Sequence, residues 1–265
     1  MNVTFSSAVV YGNVNAHGQP TNYYFQYGPT SGYGAQTPLA PGGNATTEVR
    51  VSQLINGLQP ATTYHFRLVA TSAAGTGTSV DHTFTTPKIP LSLQLAGVPN
   101  PVPFGESFLV EGTLTGTGSA NHPIVLQANP FPYLGGFKTL GNPELTNATG
   151  GFSFPVLGLL ENAQLRVQTL GSPTITSPII TENVAVRVSF HARRTHHHGR
   201  WRLYGTVTPA ETGAQVGFQL LVAGGRTVNE GGTIVKAGTP TVSSFSRTIR
   251  LRHHGVYRAL VKTSD

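Results

Sequence analysis

A spacing that occurs twice constrains this chain more than any other feature. Gly112-Thr113-Leu114-Thr115 opens a block in which Gln127 lies 15 residues on, Phe152-Ser153 begins 40 on, and Arg166 lies 14 beyond Phe152. Gly205-Thr206-Val207-Thr208 opens a second block, with Gln219 14 residues on, Phe245-Ser246 40 on, and Arg258 13 beyond Phe245. The blocks are offset by about 92 residues, the length of one small β-sandwich rather than of a solenoid repeat. An array of similar modules is therefore expected.

The material between the repeat positions suits strands. The 265 residues include 32 Gly and 19 Pro, and the runs between them are rich in Thr, Val, Tyr and Phe, which favours short strands joined by turns. Alternation with a period of two puts Tyr23, Phe25 and Tyr27 on one face. It likewise sets Tyr64, Phe66 and Leu68 against His65 and Arg67. Leu157–Leu165 comes nearest to a helix, and Gly158 weakens it. The fold class predicted is all-β: three tandem antiparallel β-sandwiches of the immunoglobulin or fibronectin III kind, at residues 1–87, 88–182 and 183–265. Each is long enough to fold on its own core.

Two stretches carry a family resemblance. Leu58-Gln59-Pro60-Ala61-Thr62-Thr63-Tyr64 resembles the start of strand F in fibronectin type III domains. The resemblance implies that Tyr64 is a structural tyrosine corner, its hydroxyl bonded back to the backbone upstream. The early tryptophan common in that family is missing, so Tyr23 or Phe25 is expected in its place. The later modules resemble Ig-like repeats of bacterial, especially actinobacterial, surface and secreted proteins. Pro101-Val102-Pro103-Phe104-Gly105, Pro123-Ile124-Val125-Leu126-Gln127 and Gly150-Gly151-Phe152-Ser153-Phe154 carry that likeness. A strand at Ser177–Thr181 is expected to follow the Arg166 strand, and nothing corresponds to it after Arg258. The third module is thus expected to lack its last strand. An open edge invites strand addition, so a monomer is expected unless that edge pairs with another chain.

Charge is uneven. Residues 181–265 hold 12 Lys and Arg against 4 Asp and Glu, whereas residues 89–180 hold 2 against 4. Six of the ten histidines also fall in the last third. Arg193, Arg194, Arg200 and Arg202 surround His196, His197 and His198, and Arg250 and Arg252 lie near His253 and His254. If the two segments meet at one pole, these six arginines form an anion-binding patch. Trp201 is a candidate for stacking on a sugar, as are Phe131 and Tyr133 in an aromatic loop. Adjacent histidines on a loop do not preorganise a tetrahedral site, and no acid lies near them. No physiological metal is expected, only adventitious binding at His196, His197 and His198.

Other chemistries find little footing. The chain has no cysteine, which excludes disulfides and thiolate sites. Its ten acids are scattered, and no Gly-x-Ser-x-Gly, His-Glu-x-x-His or P-loop occurs. No cofactor and no enzyme activity are expected. No signal peptide is visible, no apolar run suits a membrane helix, and no nucleic-acid fold motif accompanies the charge. The expected role is a non-catalytic spacer or adhesive segment, extracellular or at the bacterial cell surface, with a cell-wall polyanion or polysaccharide as partner. Two alternatives are a carbohydrate- or polyanion-binding accessory module of a secreted enzyme and a subunit of a self-assembling surface fibre.

Overall fold

The computed structural model describes residues 1–251 and 253–263. The fold is all-β: among the described residues the one helical element is a single 3-10 turn, Ala223–Gly225. Nearly every strand pairing is antiparallel. The chain packs into two compact units. One comprises Met1–Ser92 with Leu114–His122 and Thr146–Gly150; the other comprises Leu93–Thr113, Pro123–Leu145 and the described residues from Gly151 on.

The first unit contains a two-sheet sandwich. Asn2–Val3, Ser7–Val14 and Val49–Asn56 make one sheet. Thr21–Gly28 and Thr63–Ser72 centre the other, flanked by Ala35–Gln36, Ala40–Gly43, Gly75–Thr78 and His82–Thr85. Alternation turns Val10 and Ile55 inward from one sheet and Phe25, Phe66 and Phe84 inward from the other. Each such side chain contributes about 1.5–3 kcal/mol by burial. Phe25 is fully buried, and the Tyr23 hydroxyl donates to the Ser52 carbonyl at 3.1 Å. The Gln59 N–H donates to the Tyr64 hydroxyl oxygen at 2.9 Å, which ties the chain entering the Thr63–Ser72 strand to that strand's own side chain.

The second unit holds the second copy of the repeat and most of the first. In the first copy Phe108–Thr115 pairs with Gly151–Val156, and Pro123–Pro130 pairs with Ala163–Thr169. In the second copy Arg200–Thr208 pairs with His191–Arg194, Arg187–Val188 and Ser243–Arg250. Its facing sheet is Thr227–Ile234, Gln215–Leu221 and Val256–Lys262. Leu203, Val207 and Phe245 from one sheet meet Val216 and Phe218 from the other, with Trp201 and Ile249 packed half-buried against them. The second copy follows the first closely. Val102–Pro103 pairs in parallel with Val184–Ala185, and Arg187 forms an ion pair with Glu106.

The repeated spacing now has a physical cause. Gly112 lies directly across from Phe152, and Gly205 across from Phe245. A Cβ on Gly112 would come within 2.6 Å of the Phe152 ring and collide with the Gln94 carbonyl; on Gly205 it would come within 2.7 Å of the Phe245 ring and collide with the Ser189 carbonyl. In both copies the aromatic ring covers the glycine of the neighbouring strand. Gln127 faces Arg166, whose Nε donates to Gln127 Oε1 at 2.8 Å; Gln219 faces Arg258, whose Nε donates to Gln219 Oε1 at 3.0 Å.

One strand is displaced from its expected place. The segment read as Ser177–Thr181 forms its strand at Ile180–Glu182, and Thr176 makes only an isolated bridge to Gln168. Pro178 has no N–H to give a ladder there, which breaks the run. Ile180–Glu182 pairs with Ala163–Thr169. Val256–Lys262, the counterpart of Ala163–Thr169 in the second copy, pairs with Gln215–Leu221 and, among the described residues, with no other strand.

Candidate functional site

Strand alternation sorts the basic side chains of the second copy onto two faces. Arg193 stands opposite Arg202, and Arg200 opposite Arg250. These positions share the outward face, because Leu203, Gly205 and Val207 between them point into the core. All four arginines are exposed. The Arg202 Nε donates to Ser246 Oγ at 2.8 Å, and its guanidinium lies 5.7 Å from the Tyr204 ring. The His191 ring sits 5.4 Å from the same tyrosine. The strands His191–Arg194, Arg200–Thr208 and Ser243–Arg250 contain no Asp or Glu. Among the described residues none of the four arginines has a carboxylate partner.

Arg194 does not belong with them. It stands opposite Trp201 on the other face, with its guanidinium 5.2 Å from the indole. Of the six arginines expected in one patch, Arg193, Arg200, Arg202 and Arg250 share one face and Arg194 lies on the other. Consecutive residues of a strand point to opposite sides, so Arg193 and Arg194 cannot share one. Arg252 lies outside the described residues.

On the side of Arg194 and Trp201 a cleft of about 690 Å³ opens. Its walls are the hairpin loop carrying His196, His197 and His198 and the turn carrying His253 and His254. The loop is closed by hydrogen bonds from Thr195 N–H to the Arg200 carbonyl and from Arg200 N–H to the His197 carbonyl, both 3.1 Å. The His253 Nδ1 lies 3.3 Å from a Glu230 carboxylate oxygen. The Tyr257 hydroxyl donates to the His253 carbonyl at 2.7 Å, and burial, followed by the nearby Glu230 charge, pushes its pKa up. Among the described residues no group of three His, Cys, Asp or Glu side chains is placed to hold a metal ion.

The aromatic candidates divide. Trp201 is half-buried at the rim of the core and also lines the cleft. Phe131 is 55% exposed, but it meets Tyr133 edge-on at 5.5 Å and 87°, so the two rings offer no common flat platform. Phe137, in the same loop, is covered by the Arg166 guanidinium at 4.1 Å.

No family model matches the chain. No curated protein matches it either. Among solved structures it is similar to the chicken CNTN1 FN1–FN3 domains at 13% identity and a TM-score of 0.30, over 100% of this chain and 96% of that one. At that superposition the sandwich architecture rests on the strand pairings themselves. No helix among the described residues is long and apolar enough to cross a membrane.

The sequence raised the meeting of the two His-rich tracts only as a condition, and the cleft they form was not foreseen. Glu182 escaped sequence reasoning altogether. It is buried at 1% exposure with its Oε2 unpartnered, and burial holds its carboxyl above the usual range. In the sequence it is one acid beside Asn183, with nothing to mark it.

Proposed function

We propose that the chain is a non-catalytic spacer and adhesive segment of a bacterial extracellular or cell-surface protein. It is built from modules at residues 1–87, 88–182 and 183–265. The last module attaches it to a polyanionic polymer, such as an acidic polysaccharide or a cell-wall polyanion. One observation carries this reading: Arg193, Arg200, Arg202 and Arg250 share an exposed face to which their strands bring no acid. Like charges directly opposite on a sheet destabilise it. Arg193 against Arg202 and Arg200 against Arg250 are two such pairs, and a polyanion laid across them turns repulsion into attraction. A broad, shallow contact of this kind draws its strength from many repeats of the ligand rather than from one deep pocket.

The test is retention on an immobilised polyuronate across a salt gradient. A basic side chain near an anionic surface contributes about 1 kcal/mol, so R193S/R200S/R202S/R250S is expected to weaken binding on the order of a hundredfold or more at low salt. Wild-type retention should fall steeply as salt rises. Unchanged retention of the variant would remove the arginine face from the function.

A second reading has its own observation. Val256–Lys262 leaves one edge unpaired among the described residues and exposes Val256 and Leu260, as a subunit of a self-assembling fibre would. Concentration-dependent oligomers in light scattering, abolished by V261P on that strand while the fold persists, would favour it over the spacer reading.

A further inference from the structure

The cleft behind the arginine face differs in kind from the face itself. Its volume of about 690 Å³ falls within the range of about 300–1,000 Å³ typical of small-ligand sites. It has one indole wall, Trp201, with the Arg194 guanidinium over part of the ring at 5.2 Å. Tyr257 also lines it, but its hydroxyl is committed to the His253 carbonyl. Ala192 and Leu251 add apolar surface, and the rest of the lining is mostly polar and cationic. We propose that this cleft is a binding site for a single acidic sugar unit, a pyranose carrying a carboxylate or sulfate, and that it grips that unit more tightly as the pH falls.

The chemistry follows from the lining. A pyranose has apolar C–H faces that pack on an indole and hydroxyls that need donors and acceptors nearby. Imidazole offers both in its neutral form and two donors when charged. The hairpin contributes Arg194, Arg200 and three of the histidines to the charge at the cleft. The turn before the final strand contributes His253 and His254, and Tyr257 follows on that strand. From the neighbouring strand Thr227–Ile234 the one acid in reach is Glu230, engaged with His253. As a side-chain type, imidazole gains its positive charge between about pH 8 and 5, whereas a sugar carboxylate remains ionised there. Protonation adds attraction on one partner without removing charge from the other, so affinity rises as pH falls.

This site goes beyond the polymer-binding face, because its lining, Arg200 apart, comes from the hairpin loop, the turn before the final strand and the other side of the sheet. Its test can also be read separately. Trp201 is the only tryptophan of the chain, so the intrinsic indole fluorescence comes from the wall of the cleft. The probe is a galacturonic acid trimer, titrated at pH 5.5 and 7.5 at fixed salt, with a neutral galactose trimer and a nucleoside monophosphate as controls.

The expected result is a saturable change with the uronate, about fivefold or more tighter at pH 5.5. It should be retained in R193S/R202S, which alters only the outward face. The loop variant H196S/H197S/H198S should lose most of the pH dependence while keeping the wild-type melting temperature, since those side chains are exposed. No fluorescence response to the uronate overturns the proposal. So do equal affinity at both pH values, equal binding of the neutral trimer, and binding of the nucleotide in preference to the sugar. Loss of polymer retention in R193S/R202S with the Trp201 signal intact would leave this site standing and confine the polymer reading to the face.

Discussion

The two copies of the repeat share a skeleton and differ in dress. Both place a glycine beneath a cross-strand phenylalanine, and both bridge their second sheet with an arginine to glutamine hydrogen bond. Their outward positions diverge. In the first copy Glu111 faces Ser153, whose hydroxyl donates to it at 3.2 Å, closing the polar groups on each other. At the matching place in the second copy Tyr204 faces Ser246, and arginines occupy the positions around them. The positions that repeat are those where a backbone or a ring leaves no latitude. The outward positions tolerate substitution without cost to the fold, and there the second copy acquired a charged face. The first unit shows a third treatment of surface charge. Asp81 accepts hydrogen bonds from Tyr33 at 3.0 Å and bonds His65 at 2.7 Å, and these bonds, His65 foremost, hold its carboxyl below the usual range. That face satisfies itself, whereas the arginine face finds no carboxylate among the described residues.

The skeleton is where the largest effects should appear. Gly112→Val and Gly205→Val each force a side chain against a carbonyl and a ring, and each is expected to cost more than about 3 kcal/mol. Chemical denaturation would show it, and the comparison requires the two losses to be alike. If one copy tolerates valine, the shared skeleton is not the cause of the repeat.

The next effect separates the copies. Glu182 edges the first copy only, and its pKa is raised in the fold. The folded state therefore holds the proton more tightly than the unfolded chain. Stability is greatest below the unfolded carboxyl pKa and declines as pH rises through the folded one. Glu182→Gln should abolish that decline and stabilise the protein at neutral pH by about 1 kcal/mol or more, since a buried unpartnered group costs about 1–3 kcal/mol. Thermal melts between pH 3.5 and 8 would reveal it; a variant whose melting temperature tracks wild type throughout would show that Glu182 is accommodated.

The dress of the second copy should carry a smaller cost in stability. R193S/R200S/R202S/R250S removes two opposed like-charge pairs and is expected to raise the melting temperature slightly at low salt, the gain fading as salt screens the repulsion. A lower melting temperature at every salt concentration would mean that the arginine stems pack rather than repel. The smallest expected effect tests the skeleton again: Gln219→Ala removes one hydrogen bond to an arginine and should cost about 0.5–1.5 kcal/mol, and Gln127→Ala should cost more, because it also removes the bond from Gln127 Nε2 to Gln168 Oε1. A loss for Gln127→Ala no larger than for Gln219→Ala in denaturant titrations would show that the Gln168 bond adds nothing to the first copy.

Much of the architecture was legible in the residues. Alternation around Phe25 and Phe66 is a local rule of the extended chain, so it can be read from order alone. The doubled Gly, Gln, Phe and Arg spacing is visible because each partner lies across a strand pair of fixed length. Pro178 also carried its message in advance, since a residue without an N–H cannot sit mid-ladder. The site was less legible. That Arg193 and Arg194 part company follows from alternation, once the exact strand bounds are known. That His196, His197 and His198 meet His253 and His254 follows only from the pairing of Arg200–Thr208 with Ser243–Arg250, a long-range register no local pattern encodes. Glu182 is plainer still: its burial depends on which strand covers which. The sequence by itself determined strands, turns, the repeat and the excess of charge, because these depend on near neighbours and composition. Only the tertiary structure decided which charges face the same way, which histidines share a cleft and which carboxyl is left dry, because each depends on segments brought together across the sheet.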